Sequence, residues 1–160
     1  MIFITNKKQL KYIKKLNAES LNNWISSDLK ALSFTELKNP TEILSFINNC
    51  SNYCEITYYK EKIENILVKN KYLAYIYYKN DNPLGYLISY IKEKNDEKIL
   101  EIESIGILEQ YKEKQYELDF IKSIIYKAWE KKAIDNVTIT FESPENKIKK
   151  IMKELNFKRI

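Results

Sequence analysis

Histidine is absent from the chain. That excludes Ser-His-Asp and Cys-His nucleophilic schemes, zinc held by imidazole, and imidazole as an acid or base near neutral pH. Cysteine occurs only as Cys50 and Cys54, too few for a four-ligand zinc site. Their i, i+4 spacing places them on a predicted helical segment, as small semi-buried apolar residues kept reduced. Glycine and proline are scarce, at 2 and 3 residues in 160, and no low-complexity linker or internal repeat breaks the chain. No apolar run approaches bilayer length, and the N-terminus lacks a signal-peptide core. The expectation is a cytoplasmic protein with no membrane partner.

What is present suits one domain spanning 1–160, long enough to bury a core. The net charge of +5 invites a nucleic-acid reading. However, the lysines alternate with glutamates, as in Lys92-Glu93-Lys94 and Lys112-Glu113-Lys114, and no single-sign block forms. That patterning speaks against a nucleic-acid partner.

Ile2–Thr5 reads as an opening strand. Asn6 and Gln9 form a capping box for a first helix with Leu10, Ile13 and Leu16 on its apolar face, running to about Ala18–Leu21. Trp24, Ile25, Leu29 and Leu32 extend an interrupted helical pattern. Asn39-Pro40-Thr41-Glu42 starts another helix, with Pro40 at its first position. Tyr53–Val68 fits either a helix or a strand. Lys71–Lys79 and Leu84–Ile91 flank an Asn/Asp/Pro turn and predict a hairpin, followed by a charged loop over Lys92–Lys98.

The organising stretch is Ile99–Phe120. Leu100, Ile102, Ile105, Ile107 and Leu108 predict a strand, a turn falls at Glu109-Gln110, and a helix follows. Its stripe is Leu118, Ile121, Ile125 and Ala128, widened by Phe120 and Ile124. Asp135-Asn136 is a turn, Val137–Phe141 a strand, and Ser143-Pro144-Glu145 opens a last helix carrying Ile148, Ile151, Met152 and Leu155. This order predicts an α/β fold: a central mixed sheet flanked by helices on both faces, with a right-handed βαβ crossover.

Gly106–Ile121 resembles the acyl-CoA loop of the GNAT superfamily of N-acyltransferases. There an aliphatic strand end leads through R/Q-x-x-G-x-G/A into a helix. Ile107-Leu108 match the strand end, Tyr111-Lys112 the aromatic and basic pair, and Leu118, Phe120 and Ile121 the helix. Asn82-Pro83-Leu84-Gly85-Tyr86 and the closing Leu155-Asn156-Phe157 extend the resemblance over the second half of the chain. The family's glycine positions hold Glu113, Gln115 and Glu117. Only Lys158-Arg159-Ile160 remain for the strand that ordinarily follows, so that strand is absent or a partner completes the sheet edge, as in a homodimer.

The resemblance implies acetyl-CoA or another acyl-CoA as cofactor, held by Ile107, Lys112, Glu113, Lys114, Gln115, Tyr116 and Glu117. Asn146 stands one position from the asparagine of the family's last βα turn. Oriented amides at a helix start suit a diphosphate, while Glu113 and Glu117 set carboxylates beside it. The same turn reads equally as a solvated connection. Glu101 and Glu103 alternate onto one face of the strand that carries the general base in many family members; solvent-facing carboxylates are the plainer reading, above all for Glu101. Met152 occupies the family's tyrosine position and cannot donate a proton. The implied function is acyl transfer from CoA to an amine on a small-molecule or protein acceptor. The alternative is a non-catalytic binding or regulatory module of the same fold.

Overall fold

The computed structural model describes residues 2–5, 28–54, 56–141 and 144–159. In chain order its elements are β1 (Ile2–Thr5), β2 (Leu29–Ser33), α1 (Phe34–Leu37), α2 (Pro40–Asn49), β3 (Cys50–Asn52) and α3 (Lys60–Val68). There follow β4 (Tyr72–Lys79), β5 (Asn82–Lys94), β6 (Glu97–Leu108), a 3₁₀ turn (Glu109–Lys114), α4 (Tyr116–Lys132), β7 (Asn136–Thr140), α5 (Asn146–Glu154) and β8 (Lys158–Arg159). The predicted Asn6–Gln9 cap, the helix it opens, and Trp24 and Ile25 lie outside the described residues.

The sheet runs β2-β4-β5-β6-β7-β1-β8, with β3 set against β6 off this path. β6 and β7 pair parallel, and the other described pairs are antiparallel. The central position expected for Ile99–Leu108 is therefore the observed one. Helices cover both faces. On one, Phe120, Ile121, Ile124 and Ile125 of α4 and Ile148 and Met152 of α5 pack on Leu100, Ile102, Ile105 and Ile107. On the other, Phe34, Ile43, Ile47, Ile63 and Ile66 of α1–α3 pack on Ala74, Ile76, Tyr86 and Ile88.

The β4–β5 hairpin turns on Asn80-Asp81, both in the left-handed region (φ 51° and 65°). Two-residue turns of that hand match strand twist, and Asn and Asp tolerate the conformation. Asn95-Asp96 repeats the device (φ 53° and 64°), so the charged loop expected over Lys92–Lys98 is instead a tight hairpin joining β5 to β6. Leu29 and Leu32 belong to β2 rather than to a helix: the segment pairs with Tyr75–Lys79, and sheet partnership overrides spacing that suits either form. Asn39 caps α2 as expected, its side chain accepting from the Glu42 amide at 3.1 Å. Cys50 and Cys54 are not helical. α2 ends at Asn49, Cys50 opens β3, and Cys54 lies in the bend beyond it. Among the described residues no helix is long and apolar enough to cross a membrane.

Candidate active site

β6 and β7 keep parallel register only from Ile99–Asn136 to Ile102–Ile139. Past that point they separate. A crevice at the carboxyl ends of diverging parallel strands, with helices starting beyond each, is where α/β sheets admit ligands. Here the helices are α4 and α5.

Glu103 stands at the mouth of this crevice because of a β-bulge. Ile88 faces Ser104 while Ser89 faces Ile102, which leaves Glu103 as the extra residue. The bulge shifts the alternation by one, so Leu100 and Ile102 before it and Ile105 and Ile107 after it all enter the same core. Glu103 Oε2 accepts a hydrogen bond from Tyr58 Oη at 2.8 Å, and Lys62 Nζ lies 3.7 Å from Oε1. Burial, then the charge and hydrogen bond of Glu103, raise the Tyr58 pKa well above the ordinary phenol range. Tyr58 thus keeps its proton and fixes the carboxylate. Glu101 Oε2 accepts from the Thr138 hydroxyl and lies 3.5 Å from Lys92 Nζ. Both carboxylates line a pocket of about 260 Å³ with Cys54, Ile56, Tyr90, Ile102 and Thr140. No group of three or more metal-binding side chains occurs among the described residues.

The implied cofactor residues separate into two sets. Glu113, Lys114 and Gln115 are exposed. Gln115 has φ 58°, the left-handed backbone that a glycine adopts without cost, so the turn is kept without the glycine. Tyr116 is half-buried, with Lys79 Nζ 5.6 Å from its ring centre, and Asn146 is exposed at the start of α5. Ile107, Lys112 and Glu117 are engaged within the protein. Ile107 pairs with Ser51 of β3. The backbone carbonyl of Lys112 accepts from Lys147 Nζ, and its ammonium lies 3.6 Å from Glu145. Glu117, in the first turn of α4, is fully buried: its Oε2 accepts from Tyr53 Oη at 2.5 Å and lies 2.8 Å from Lys147 Nζ. Its buried Oε1 has no hydrogen-bond partner among the described residues. Burial first, and then the Glu117 hydrogen bond, raise the Tyr53 pKa.

Sequence reasoning did not single out Ser51, Tyr53, Tyr58 or Lys147. Met152 is a core residue, and Tyr111, Tyr116 and Tyr126 pack at the core margin.

The residues as placed do not fit an acyl-CoA. The edge of β6 from Ile105 to Leu108 is paired by the chain's own segment, and a carboxylate is buried where a diphosphate would meet the start of α4.

No family profile matches the chain, and no curated protein matches it. Solved structures do resemble it. An aminoglycoside acetyltransferase from an uncultured soil metagenomic sample, in complex with sisomicin, superposes with a TM-score of 0.60 at 12% identity, covering 85% of this chain and 90% of that one. The aminoglycoside N-acetyltransferase AAC(6')-Iy in complex with CoA gives 0.57 at 16%, covering 82% and 92%. The ribosomal-protein-alanine N-acetyltransferase of Brucella melitensis biovar Abortus 2308 gives 0.57 at 11%, covering 79% and 88%.

Proposed function

We propose, for a chain that has the GNAT fold, that it is an N-acyltransferase acting on an amine, with Glu103 as the residue that receives the acceptor's proton. The observation that carries this reading is the bulge at Glu103, which aims a carboxylate held by Tyr58 at the mouth of the β6–β7 crevice. An ammonium must lose a proton before its nitrogen can attack a carbonyl, and a carboxylate at hydrogen-bond reach, directly or through one water, performs that step. Glu101 brings a second carboxylate to the same pocket, each of the two facing a lysine, Lys92 at 3.5 Å and Lys62 at 3.7 Å. Acetyl-CoA or another acyl-CoA is the acyl source on this reading. Because the crevice is filled as it stands, transfer requires a second arrangement of residues 50–54.

A specific observation favours the second reading, a non-catalytic module of the same fold: β3 pairs along the strand edge next to the loop whose glycine positions are already replaced. Acetyl-CoA-dependent acylation of a panel of amines decides between the two. Aminoglycosides and alanine-bearing ribosomal-protein peptides belong on it, since the structurally similar proteins include an aminoglycoside acetyltransferase and a ribosomal-protein-alanine N-acetyltransferase. Turnover by the wild type, falling about 100-fold in Glu103→Gln, supports acyl transfer. Turnover unchanged in Glu103→Gln removes Glu103 from the role. No turnover of any amine puts the non-catalytic reading first.

A further inference from the structure

We propose that Cys50–Cys54 is a built-in occupant of the β6–β7 crevice, so that its pairing with β6 and the binding of an acyl carrier exclude each other. The proposal rests on the acyl-transfer reading and assigns the regulation of that site.

Two features of the crevice are each satisfied from within the chain. The first is the strand edge. Cys50, Ser51 and Asn52 pair antiparallel with Leu108, Ile107 and Gly106, and the Tyr53 amide donates to the Ile105 carbonyl at 3.0 Å. Hydrogen-bonded pairs alternate along an antiparallel ladder, so with Tyr53 bonded to Ile105 the next such pair is Ser51 with Ile107. An extended ligand adding to a sheet edge uses those same N–H and C=O groups. Both cannot hold them at once.

The second feature is the positive end of α4. The start of this 17-residue helix carries a partial positive charge and no side-chain cap. The Glu117 carboxylate occupies this turn, wholly buried, held through Oε2 by Tyr53 of the occupying segment and by Lys147 of α5. Among the described residues its Oε1 has no hydrogen-bond partner. A second anion brought here would face that carboxylate away from water, where like charges repel most strongly. Tyr53 links the two features, because the residue that extends the β3 ladder also donates to the carboxylate. Withdrawal of the segment frees the edge and leaves the Glu117 carboxylate to Lys147 alone.

The segment is short, and Cys54 is its one member buried in the core. β3 is 3 residues long, none of them buried, and lies between the end of α2 and the start of α3. Its side-chain ties include Ser51 Oγ to Glu109 at 2.6 Å, Asn52 to the Ile56 carbonyl, to Ser104 and to the Cys54 amide at 3.2, 3.1 and 2.9 Å, and Tyr53 to Glu117. Its far end, Cys54, is 3% exposed and lines the pocket beside Glu103.

Cys54 therefore reports on the segment. In a Cys50→Ala background it is the single thiol, and its reaction with an aromatic disulfide reagent at fixed pH measures how often the segment lifts. Ordinary binding at a preformed site protects a neighbouring thiol. The proposal requires the reverse: saturating acetyl-CoA should accelerate Cys54 labelling at least tenfold. Ser51→Pro, which deletes a ladder donor where Cys50 already has the extended backbone that precedes a proline (φ −90°, ψ 149°), should label at the fast rate without ligand. It should also bind acetyl-CoA at least tenfold more tightly, because the competent fraction rises. Should Ser51→Pro fail to fold by circular dichroism, Tyr53→Phe gives the same comparison, with about threefold changes expected. Calorimetric binding of acetyl-CoA with Cys54 labelling unchanged or slowed overturns the proposal and leaves acyl transfer standing. If neither protein binds acetyl-CoA, the acyl-transfer reading fails, and the competition with it.

Discussion

Lys147 Nζ lies 2.8 Å from Glu117 Oε2, and the carboxylate it meets is fully buried. The pair joins the first turn of α5 to the first turn of α4 across the crevice floor. Removing one partner of a buried pair costs far more than replacing both, because a lone buried charge keeps its desolvation penalty. Lys147→Met should therefore destabilise the fold by roughly 3 kcal/mol, the lower end of the range for such losses, since Lys147 itself is 22% exposed. Lys147→Met with Glu117→Leu should recover most of that loss. Urea unfolding of the three proteins tests this. A single variant within 0.5 kcal/mol or so of wild type, in the range of an exposed ion pair, would show that water reaches the carboxylate.

Gly85 marks the tightest approach in the sheet. A Cβ there would sit 2.2 Å from the Gly106 carbonyl oxygen, 3.0 Å from Ile107 Cα and 2.8 Å from the Phe120 ring, and two of those are backbone atoms that cannot step aside. Gly106 is almost as close to its neighbour, its Cβ direction meeting the buried Tyr86 ring at 2.3 Å. Gly85→Ala should cost about 3 kcal/mol or more, the upper end for overpacking. Gly106→Ala should cost somewhat less, because a ring can shift where a carbonyl cannot. Thermal melts give the order, and equal, small losses would mean that β5 and β6 are not drawn together as described.

Burial pushes the Cys54 thiol up to about 12, the Ile105 backbone working weakly the other way. A free thiol titrates near 8.5, so between the two values the folded chain keeps a proton that the unfolded chain releases. Stability is then fully present below about pH 8.5 and falls as pH rises toward the folded value. The limit is about 1.4 kcal/mol per pH unit for this one group. Tyr53 and Tyr58, raised by burial, add to the slope from about pH 10 upward. Urea unfolding from pH 7.5 to 10.5 should show the fall, with a shallower slope in Cys54→Ala. A flat profile in the wild type would place Cys54 in contact with solvent.

Much of the fold is legible in the sequence because its signals are local. The hairpin at Asn80-Asp81, the cap at Asn39-Pro40, the strand through Ile105-Ile107 and the α4 stripe of Phe120, Ile121, Ile124 and Ile125 each depend on residues within a turn or two. The charged hairpin at Asn95-Asp96 escaped that reading, because lysines and glutamates at an exposed strand end carry no apolar alternation. β2 escaped it as well: Leu29 and Leu32 are spaced for a helix, and only Tyr75–Lys79, far along the chain, make them a strand.

By itself, then, the sequence determined the order of strands and helices around β6, the exclusion of histidine chemistry, and the presence of carboxylates at 101 and 103 and at 113 and 117. Periodicity and residue type are properties of the chain. Only the tertiary structure decided what those carboxylates do. A bulge that exists through pairing with β5 turns Glu103 toward Tyr58, whereas the meeting of α4, α5 and residues 50–54 buries Glu117 against Lys147 and Tyr53. Whether a glutamate faces solvent, a substrate or a lysine depends on groups distant in sequence. The free energy that settles the choice, desolvation set against a specific partner, has no value until the fold brings those groups together.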